Sequence, residues 1–92
     1  MHIIRHLIWD TWNVEHIAHH AVTPDEVEEV CHDAPVFSET HKGRIRVIGT
    51  TRSHRMVTLI LAPKEADGTY YPVTARPASR KEQQRYDELS KL

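Results

Sequence analysis

The chain has 92 residues, of which 39% are hydrophobic, and this length suits one compact domain over residues 1–92 with a modest core. The longest apolar run, Leu59–Ala62, is too short to span a bilayer, and the first residues lack the pattern of a signal peptide. The single cysteine, Cys31, excludes an internal disulfide, so the composition predicts a cytoplasmic protein without a membrane anchor.

The net charge of −1 conceals a strong asymmetry along the chain. Residues 1–41 contain one Lys or Arg against eight Asp or Glu, whereas residues 42–92 contain eleven against five. This split predicts an acidic layer and a basic layer, and the basic layer is a candidate nucleic-acid surface. The alternative is a surface on which the two signs interleave, because halves of a sequence need not be halves of a structure.

Residues 3–9 are rich in apolar side chains and predict a first strand, and residues 11–20 predict a helix. Two residues are candidates for its N-cap, Thr11 and Asp10. The residues expected on its inner side are Trp12, Ile17 and one of Val14 and His20. These expectations rest on the spacing of apolar side chains at 3.6 residues per turn.

A second helix has a clear start at Thr23-Pro24-Asp25-Glu26, which combines an N-cap, a proline at the first helical position and a capping-box glutamate. Val27, Val30 and Cys31 share one face of this helix, which predicts that it packs on a core. The helix is expected to end near His32-Asp33.

Four strands and a last helix follow. The predicted strands are Val36–Thr40, Arg44–Thr51, Met56–Ala62 and Tyr70–Arg76, and the helix runs from Ser79 to about Ser90. Met56–Ala62 is the most apolar and is expected at the centre of the sheet. Pro72 predicts a sheet edge or a bulge. The order β-α-α-β-β-β-β-α predicts an α+β domain, with helices packed on a mainly antiparallel sheet.

The segment from residue 69 to residue 86 carries the most informative pattern. Tyr71, Val73 and Ala75 alternate with Tyr70, Thr74 and Arg76, which predicts a strand with one buried face. Ser79-Arg80-Lys81-Glu82 fits a capping box, so a basic helix follows the strand directly. The polar side chains of this unit are suited to phosphate, since arginine offers a planar fork of donors; they are Arg76, Arg80, Lys81, Arg85, Thr74 and Tyr86.

These residues also carry a resemblance to a known family. The motifs concerned are Ala75-Arg76-Pro77-Ala78 with Arg80, Glu82 and Tyr86, then Trp9-Asp10, His19-His20-Ala21-Val22, Val47-Ile48-Gly49 and Arg55-Met56. In order and spacing, over roughly residues 7 to 88, the chain resembles the BrnT-type toxins of bacterial type II toxin–antitoxin modules. The resemblance implies a small RelE-like fold, cleavage of RNA without a metal or other cofactor, and a DNA-binding antitoxin as partner. A homo-oligomer or a toxin–antitoxin heterotetramer is also expected.

Cleavage of RNA without a metal needs a base, an acid and cations that stabilise the charge on the phosphate. The resemblance places an arginine at Arg76, which is the first candidate for phosphate stabilisation. Arg46 or Arg44 is the second candidate for this role, and Arg55 is the third. The alternative for each is a surface salt bridge with a carboxylate of the acidic half.

Histidine is the side chain that exchanges a proton near neutral pH, and the chain contains eight. His20 matches the family's histidine and is the candidate for proton transfer. His19 stands where the family usually has lysine, and Ala21 where it has glycine. Tyr86 is a further candidate contact to phosphate, or a packing residue. The side chains expected to bind RNA are Arg44, Arg55, Arg80, Lys81, Arg85 and His19.

Two other functions remain open at this stage. His16 and His20 have the i, i+4 spacing of a zinc-binding pair, but a third ligand would have to come from His41 or His54, and no metal site is predicted. The departures at His19 and Ala21 also suit a non-catalytic module of the same fold, which binds nucleic acid or protein.

Overall fold

The computed structural model of the protein describes residues 3–91, apart from the side chain of His41. Within this range five strands form one mixed sheet, and α-helices cover both of its faces. The elements in chain order are β1 (His6–Leu7), α1 (Thr11–Ala18), α2 (Pro24–His32), β2 (Val36–Glu39), β3 (Ile45–Thr50), β4 (Met56–Pro63), β5 (Thr69–Pro77) and α3 (Arg80–Ser90). A short turn over His41–Gly43 joins β2 to β3.

The strands lie in the order β1-β5-β4-β3-β2. Strand β1 runs parallel to β5, whereas the other neighbouring pairs are antiparallel. The predicted α+β class, the element order, the mainly antiparallel sheet and the central position of the most apolar strand, β4, are therefore confirmed.

The first strand is much shorter than predicted. Only His6 and Leu7 pair with β5, and the Ile8 N–H donates to the carbonyl of Tyr70 at 2.9 Å. Asp10 then begins the cap of α1. The prediction of a strand over residues 3–9 is wrong in extent, because the chain must leave the sheet edge to enter the helix.

Helices α1 and α2 pack on one face of the sheet, and their side chains meet alternate residues of β3, β4 and β5. The centre of this core is fully buried and consists of Ile17, Val22, Val27, Val30, Val47, Val57, Leu59, Leu61 and Ala75. Gly49 lies under α2, where an added Cβ would stand 3.0 Å from a methyl carbon of Val30. Helix α3 packs on the opposite face, across β3 and β2.

A bulge in β5 decides which of its side chains face α3. Ile60 pairs with Thr74 and the next residue, Leu61, pairs with Pro72, so Val73 is an extra residue in the ladder. Tyr70 and Pro72 are consequently buried with Ala75 on the α1–α2 face. Of the two alternatives predicted for Pro72, a sheet edge or a bulge, the structure shows the bulge. Ala75 is buried as predicted, whereas the prediction that Tyr71 and Val73 share its buried face is wrong. Alternation along the sequence assigns side chains to the two faces of a sheet only where the strand pairing contains no bulge.

Helix α1 turns a different face to the core than predicted. Asp10 is the N-cap, and Asn13 and Ile17 are its buried residues. The Trp12 side chain is 57% exposed and stacks on His16, with ring centroids 4.8 Å apart. The prediction that Trp12 packs inward is wrong, because the buried Asn13 amide binds the Ile8 carbonyl before the helix and so faces the sheet. His20 is likewise exposed.

The end of α1 is closed by a Schellman arrangement. The N–H of Val22 donates to the carbonyl of Ile17 at 3.1 Å, and the N–H of Ala21 donates to Ala18 at 3.0 Å. Ala21 has a φ of +59°, in the left-handed region that favours glycine. Glycine at this position would therefore suit the backbone better than alanine.

Ala21→Gly is expected to raise the free energy of unfolding by about 0.5–1 kcal/mol. A non-glycine residue in the left-handed region loses about 1–2 kcal/mol, and the greater freedom of glycine in the unfolded chain returns about 0.4–1 kcal/mol. Urea unfolding followed by circular dichroism measures the difference. A matched control is Ala18→Gly, at the last residue of α1, which should destabilise by up to about 1 kcal/mol. Equal destabilisation by both substitutions would contradict the prediction.

Candidate nucleic-acid interface

Helix α3 packs on the sheet without a fully buried side chain among its described residues. The side chains of Glu82, Tyr86 and Leu89 are half-buried. Ser79 caps the helix and forms the predicted capping box with Glu82. The position of α3 therefore depends strongly on the interactions of Glu82.

Arg76 at the end of β5 forms a bidentate ion pair with Glu82. The two guanidinium nitrogens Nη1 and Nη2 donate to the two carboxylate oxygens at 2.7 and 2.8 Å. The Arg76 side chain is 38% exposed and that of Glu82 is 12% exposed. Arginine has five N–H donors and this pair uses two, so three donors of Arg76 remain for a phosphate. Both the capping spacing and the family motif mark Glu82 in the sequence, but neither predicts its pairing with Arg76.

The Glu82 carboxyl is strongly acidic in the folded protein. Burial raises its pKa, but hydrogen bonds from Arg76 and from the Ser79 N–H outweigh burial, and the pKa falls from 4.5 to about 2. The Thr58 hydroxyl lies near and also favours the charged carboxylate, although Thr58 Oγ1 has no hydrogen bond of good geometry. Hydrogen bonding to Glu82 likewise raises the pKa of Arg76.

This pKa implies a loss of stability in acid. Because the folded pKa of Glu82 lies below the unfolded one, the stabilisation is complete above pH 4.5 and disappears as the pH falls towards 2. The shift corresponds to at most about 3 kcal/mol, and solvent screening at the exposed Arg76 reduces this to about 1–2 kcal/mol. Urea unfolding between pH 6 and about pH 2.5 should show a shallower loss in Glu82→Gln than in the native protein or in Glu88→Gln. Equal slopes of the free energy of unfolding against pH in the native protein and both variants would contradict this prediction.

Basic side chains gather beside the Arg76–Glu82 pair. A groove of about 300 Å³ separates β3 from the exposed side of α3, and its lining residues are Arg46, Lys81, Glu82, Gln84, Arg85 and Glu88. Lys81 and Arg85 are one helical turn apart, so both face the groove. Glu82 is committed to Arg76, which leaves three cations against Glu88. The structure thus brings together Arg76, Arg46, Lys81 and Arg85, as the sequence analysis expected for a phosphate-binding surface.

Arg46 also lines a second groove on the same face of the sheet. This groove has a volume of about 250 Å³, and its lining residues are Thr40, Arg44, Arg46, Ile60, Val73 and Thr74. Neither Arg44 nor Arg46 forms an ion pair with any residue in the described part of the chain. The bulge residue Val73 and the strand residue Ile60 were not predicted as site residues, and no local sequence signal marks them.

Arg55 lies apart from this surface. Its Nη1 donates to the carbonyl of Ala21 at 2.6 Å and pairs with Glu26 at 3.2 Å. These bonds tie the start of β4 to the chain between α1 and α2, on the opposite face from α3. Arg55 therefore forms the salt bridge with a carboxylate of the acidic half that was predicted as the alternative to phosphate binding.

His19 and His20 are exposed at the C-terminal end of α1. The His20 ring meets the His16 ring edge to face, with centroids 5.5 Å apart. Both histidines belong to the α1–α2 side of the sheet, whereas Arg76 faces α3. His20 nevertheless adjoins Ala21, which Arg55 contacts at the start of β4, and Arg76 pairs with Thr58 three residues further along β4. His20 and Arg76 therefore lie at the same end of the sheet.

The remaining candidates on α3 have different environments. Tyr86 follows Glu82 by one turn on the half-buried side of the helix, which favours its role as a packing residue. Arg80 is exposed in the first turn and lines neither groove.

The acidic half of the sequence forms a layer of its own. A cavity of about 620 Å³ beside α2 is lined by Asp25, Glu28, Glu29, His32, Asp33 and Arg52. Helices α2 and α3 lie on opposite faces of the sheet, so the carboxylates of α2 are separated from Lys81 and Arg85. The two signs also interleave, as in the alternative prediction, because Arg52 and Arg55 lie on the α2 side and α3 carries acidic residues of its own. The acidic layer is unsuited to a polyanion.

Cys31 lies on this acidic layer and is not a candidate nucleophile. Burial and the neighbouring Glu28 carboxylate raise the pKa of its thiol from 9.0 to about 12. Only the thiolate reacts with alkylating reagents. We expect native Cys31 to react with iodoacetamide at pH 7 more than about 100-fold slower than the urea-unfolded chain, since each pKa unit is a factor of ten in thiolate. Mass spectrometry measures both rates, and similar rates would contradict this environment.

Among the side chains that the structure describes, no group of three or more His, Cys, Asp or Glu is arranged to hold a metal ion. His41, one of the two candidates for a third ligand beside His16 and His20, lies outside the described side chains. Over residues 3–91 no helix has the length and apolar character needed to cross a membrane.

Comparison with known proteins adds no relative. No protein-family model matches the sequence, and a search of curated proteins finds no match. The resemblance to BrnT-type toxins therefore rests on the motifs themselves and on their order along the chain.

Proposed function

We propose that this protein is the toxin of a type II toxin–antitoxin module and cleaves RNA without a metal ion. The observation that carries the proposal is the gathering of Arg76, Arg46, Lys81 and Arg85 on one side of the sheet. Guanidinium groups hold phosphate oxygens through paired hydrogen bonds and keep their charge at any physiological pH. The acidic layer lies on the other side, so an RNA strand is directed to the α3 side.

In the proposed reaction the 2′-hydroxyl of the RNA attacks the adjacent phosphorus. A base removes the proton of this hydroxyl, the bond to the 5′-oxygen breaks, and an acid protonates that oxygen as it leaves. The three free donors of Arg76 stabilise the charge on the phosphate. His20 is the base that the family resemblance implies. Base and phosphate clamp act on one phosphodiester, so this role requires the His20 ring, which lies on the α1 side, to approach the same 2′-hydroxyl whose phosphate Arg76 holds.

A second candidate function is a non-catalytic RNA-binding module. It is favoured by the Arg76–Glu82 pair, because a carboxylate already occupies one edge of the guanidinium. It is also favoured by the position of His20 on the α1 side. Such a module binds RNA on the same basic surface but leaves it intact.

The two functions are separated by incubating a labelled RNA with the purified protein in EDTA, between about pH 6 and 8, the range of histidine titration. Cleavage that persists in EDTA and is lost in both His20→Ala and Arg76→Ala supports the ribonuclease. His6→Ala, at an exposed histidine of β1, is the matched control and should cleave normally. Intact RNA that is nevertheless bound supports the module. RNA that is neither bound nor cleaved would contradict both.

The expected antitoxin is part of the same proposal. A partner that covers the α3 grooves must present carboxylates or an apolar helix to Arg46, Lys81 and Arg85. Co-expression with the product of the adjacent gene should then relieve growth arrest caused by the protein. Charge reversal of Lys81 and Arg85 should weaken this rescue.

A further inference from the structure

The groove between β3 and the bulge of β5 has the chemistry of a site for one nucleotide. Its six lining residues include two arginines, two threonines and two aliphatic residues, and no carboxylate. The neighbouring groove beside α3, in contrast, contains Glu82 and Glu88. The acid-free groove is therefore the more favourable of the two for a negatively charged ligand.

Arg44 and Arg46 are two residues apart along the chain, so their side chains lie on the same face, about 7 Å apart along the strand direction. Neither is neutralised by an ion pair with a described residue. Arg46 Nε is buried without a hydrogen-bond partner, so a ligand in the groove can reach this guanidinium only through its other two nitrogens. The pair thus presents uncommitted guanidinium donors to the groove.

Ile60 and Val73 supply an apolar surface next to these cations. Ile60 is half-buried on the central strand, and Val73 is the extra residue of the β5 bulge. Bulges often re-aim a side chain next to a functional site. The Thr74 hydroxyl, which has no described hydrogen-bond partner, adds a group that both donates and accepts. The cations suit the phosphate of a nucleotide, and the apolar strip formed by Ile60 and Val73 suits its base.

We propose that this groove binds one unpaired nucleotide of single-stranded RNA, with its phosphate on Arg44 and Arg46 and its base on Ile60 and Val73. The inference rests on the proposed function, because it assigns a substrate class to the same basic surface. Arg46 lines both grooves, so the bound nucleotide is the neighbour of the phosphate held by Lys81 and Arg85. A duplex keeps its bases stacked and paired, and so cannot place one against the apolar strip.

The test measures binding of a short fluorescein-labelled 2′-O-methyl oligoribonucleotide by anisotropy. The methyl group removes the attacking hydroxyl, so binding is read without cleavage. Arg44→Gln and Arg46→Gln are each expected to weaken binding and to reduce the slope of log K against log salt by about 0.7 for each lost phosphate contact. The matched control, Arg52→Gln, removes an equal charge on the acidic layer and should leave the slope unchanged.

Val73→Asp is expected to weaken binding at least 10-fold, since it removes the apolar contact with the base and adds a negative charge to the groove that holds the phosphate. The duplex of the same sequence should bind more weakly than the single strand. Unchanged affinity and slope in Arg44→Gln, equal binding of duplex and single strand, or an acidic peptide that binds the groove more tightly than the oligonucleotide would each overturn the inference. Urea unfolding of every variant verifies that it is folded.

The outcomes also separate this inference from the proposed function. If the protein cleaves RNA but Arg44→Gln binds normally, the groove assignment fails and the ribonuclease stands. If the native protein cleaves no RNA but Arg44→Gln and Val73→Asp lose binding, the groove assignment stands and the ribonuclease fails.

Discussion

Arg76→Ala is expected to lower the rate of RNA cleavage by about 100-fold or more, because removal of one group that stabilises transition-state charge typically costs that much. The same substitution leaves the Glu82 carboxylate, which is 12% exposed, without its ion-pair partner. We therefore also expect a loss of about 2 kcal/mol in the free energy of unfolding, below the range for fully buried pairs since Arg76 is 38% exposed. Single-turnover cleavage and urea unfolding measure the two effects separately.

Glu82→Gln is the matched control for this experiment. It breaks the same ion pair and should destabilise the protein by a similar amount, but it leaves the Arg76 guanidinium in place. Cleavage by Glu82→Gln should therefore stay within about tenfold of the native rate, a tenfold change being about 1.4 kcal/mol. Arg76→Lys keeps the charge without the planar fork and should fall between the two. Equal rates in Arg76→Ala and Glu82→Gln would show that Arg76 acts only through the fold.

Asn13→Ala is expected to lower the free energy of unfolding by about 2–4 kcal/mol, the largest effect of any substitution outside the apolar core. The Asn13 amide is fully buried. Its oxygen accepts from the Asp10 N–H and its nitrogen donates to the Ile8 carbonyl, both at 2.9 Å. Alanine leaves both backbone groups without partners, each at a cost of about 1–3 kcal/mol.

Thermal and urea unfolding of Asn13→Ala should be compared with those of Thr11→Ala, an exposed position in the same helix. The control should change the free energy of unfolding by no more than about 0.5 kcal/mol. A similar small change in Asn13→Ala would mean that water replaces the amide and that the capping box does not orient α1.

Capping residues in the sequence predicted the starts of α2 and α3 correctly. Thr23 with Glu26, and Ser79 with Glu82, form the expected capping boxes. The partners in each box are three residues apart, so the geometry of one turn is sufficient to define them. The start of α1 lacks this signal, since Asn13 stands where a capping box usually has Glu or Gln. The sequence therefore left both Asp10 and Thr11 as candidates for the N-cap.

The orientation of α1 and the faces of β5 depend on contacts between distant segments. Trp12 is the more hydrophobic residue, yet Asn13 is buried because its amide bonds to Ile8 at the end of the β1 segment. In β5 the extra residue Val73 reverses the alternation for the residues before it, so that Tyr70 and Pro72 share the buried face with Ala75. A bulge is a property of two paired strands, and one strand read alone does not locate it.

The sequence by itself determined the α+β order, the central strand β4 and the starts of α2 and α3, and it predicted part of the basic surface, namely Arg46, Arg76, Lys81 and Arg85. Charge, apolar spacing and capping act over a few residues, and each can be read locally. Only the tertiary structure decided the partner of each cation: Arg76 pairs with Glu82, Arg55 with Glu26, and Arg46 adjoins two grooves. Ion pairs and grooves form between side chains that the folded sheet brings together, so their chemistry depends on distances that no local pattern contains.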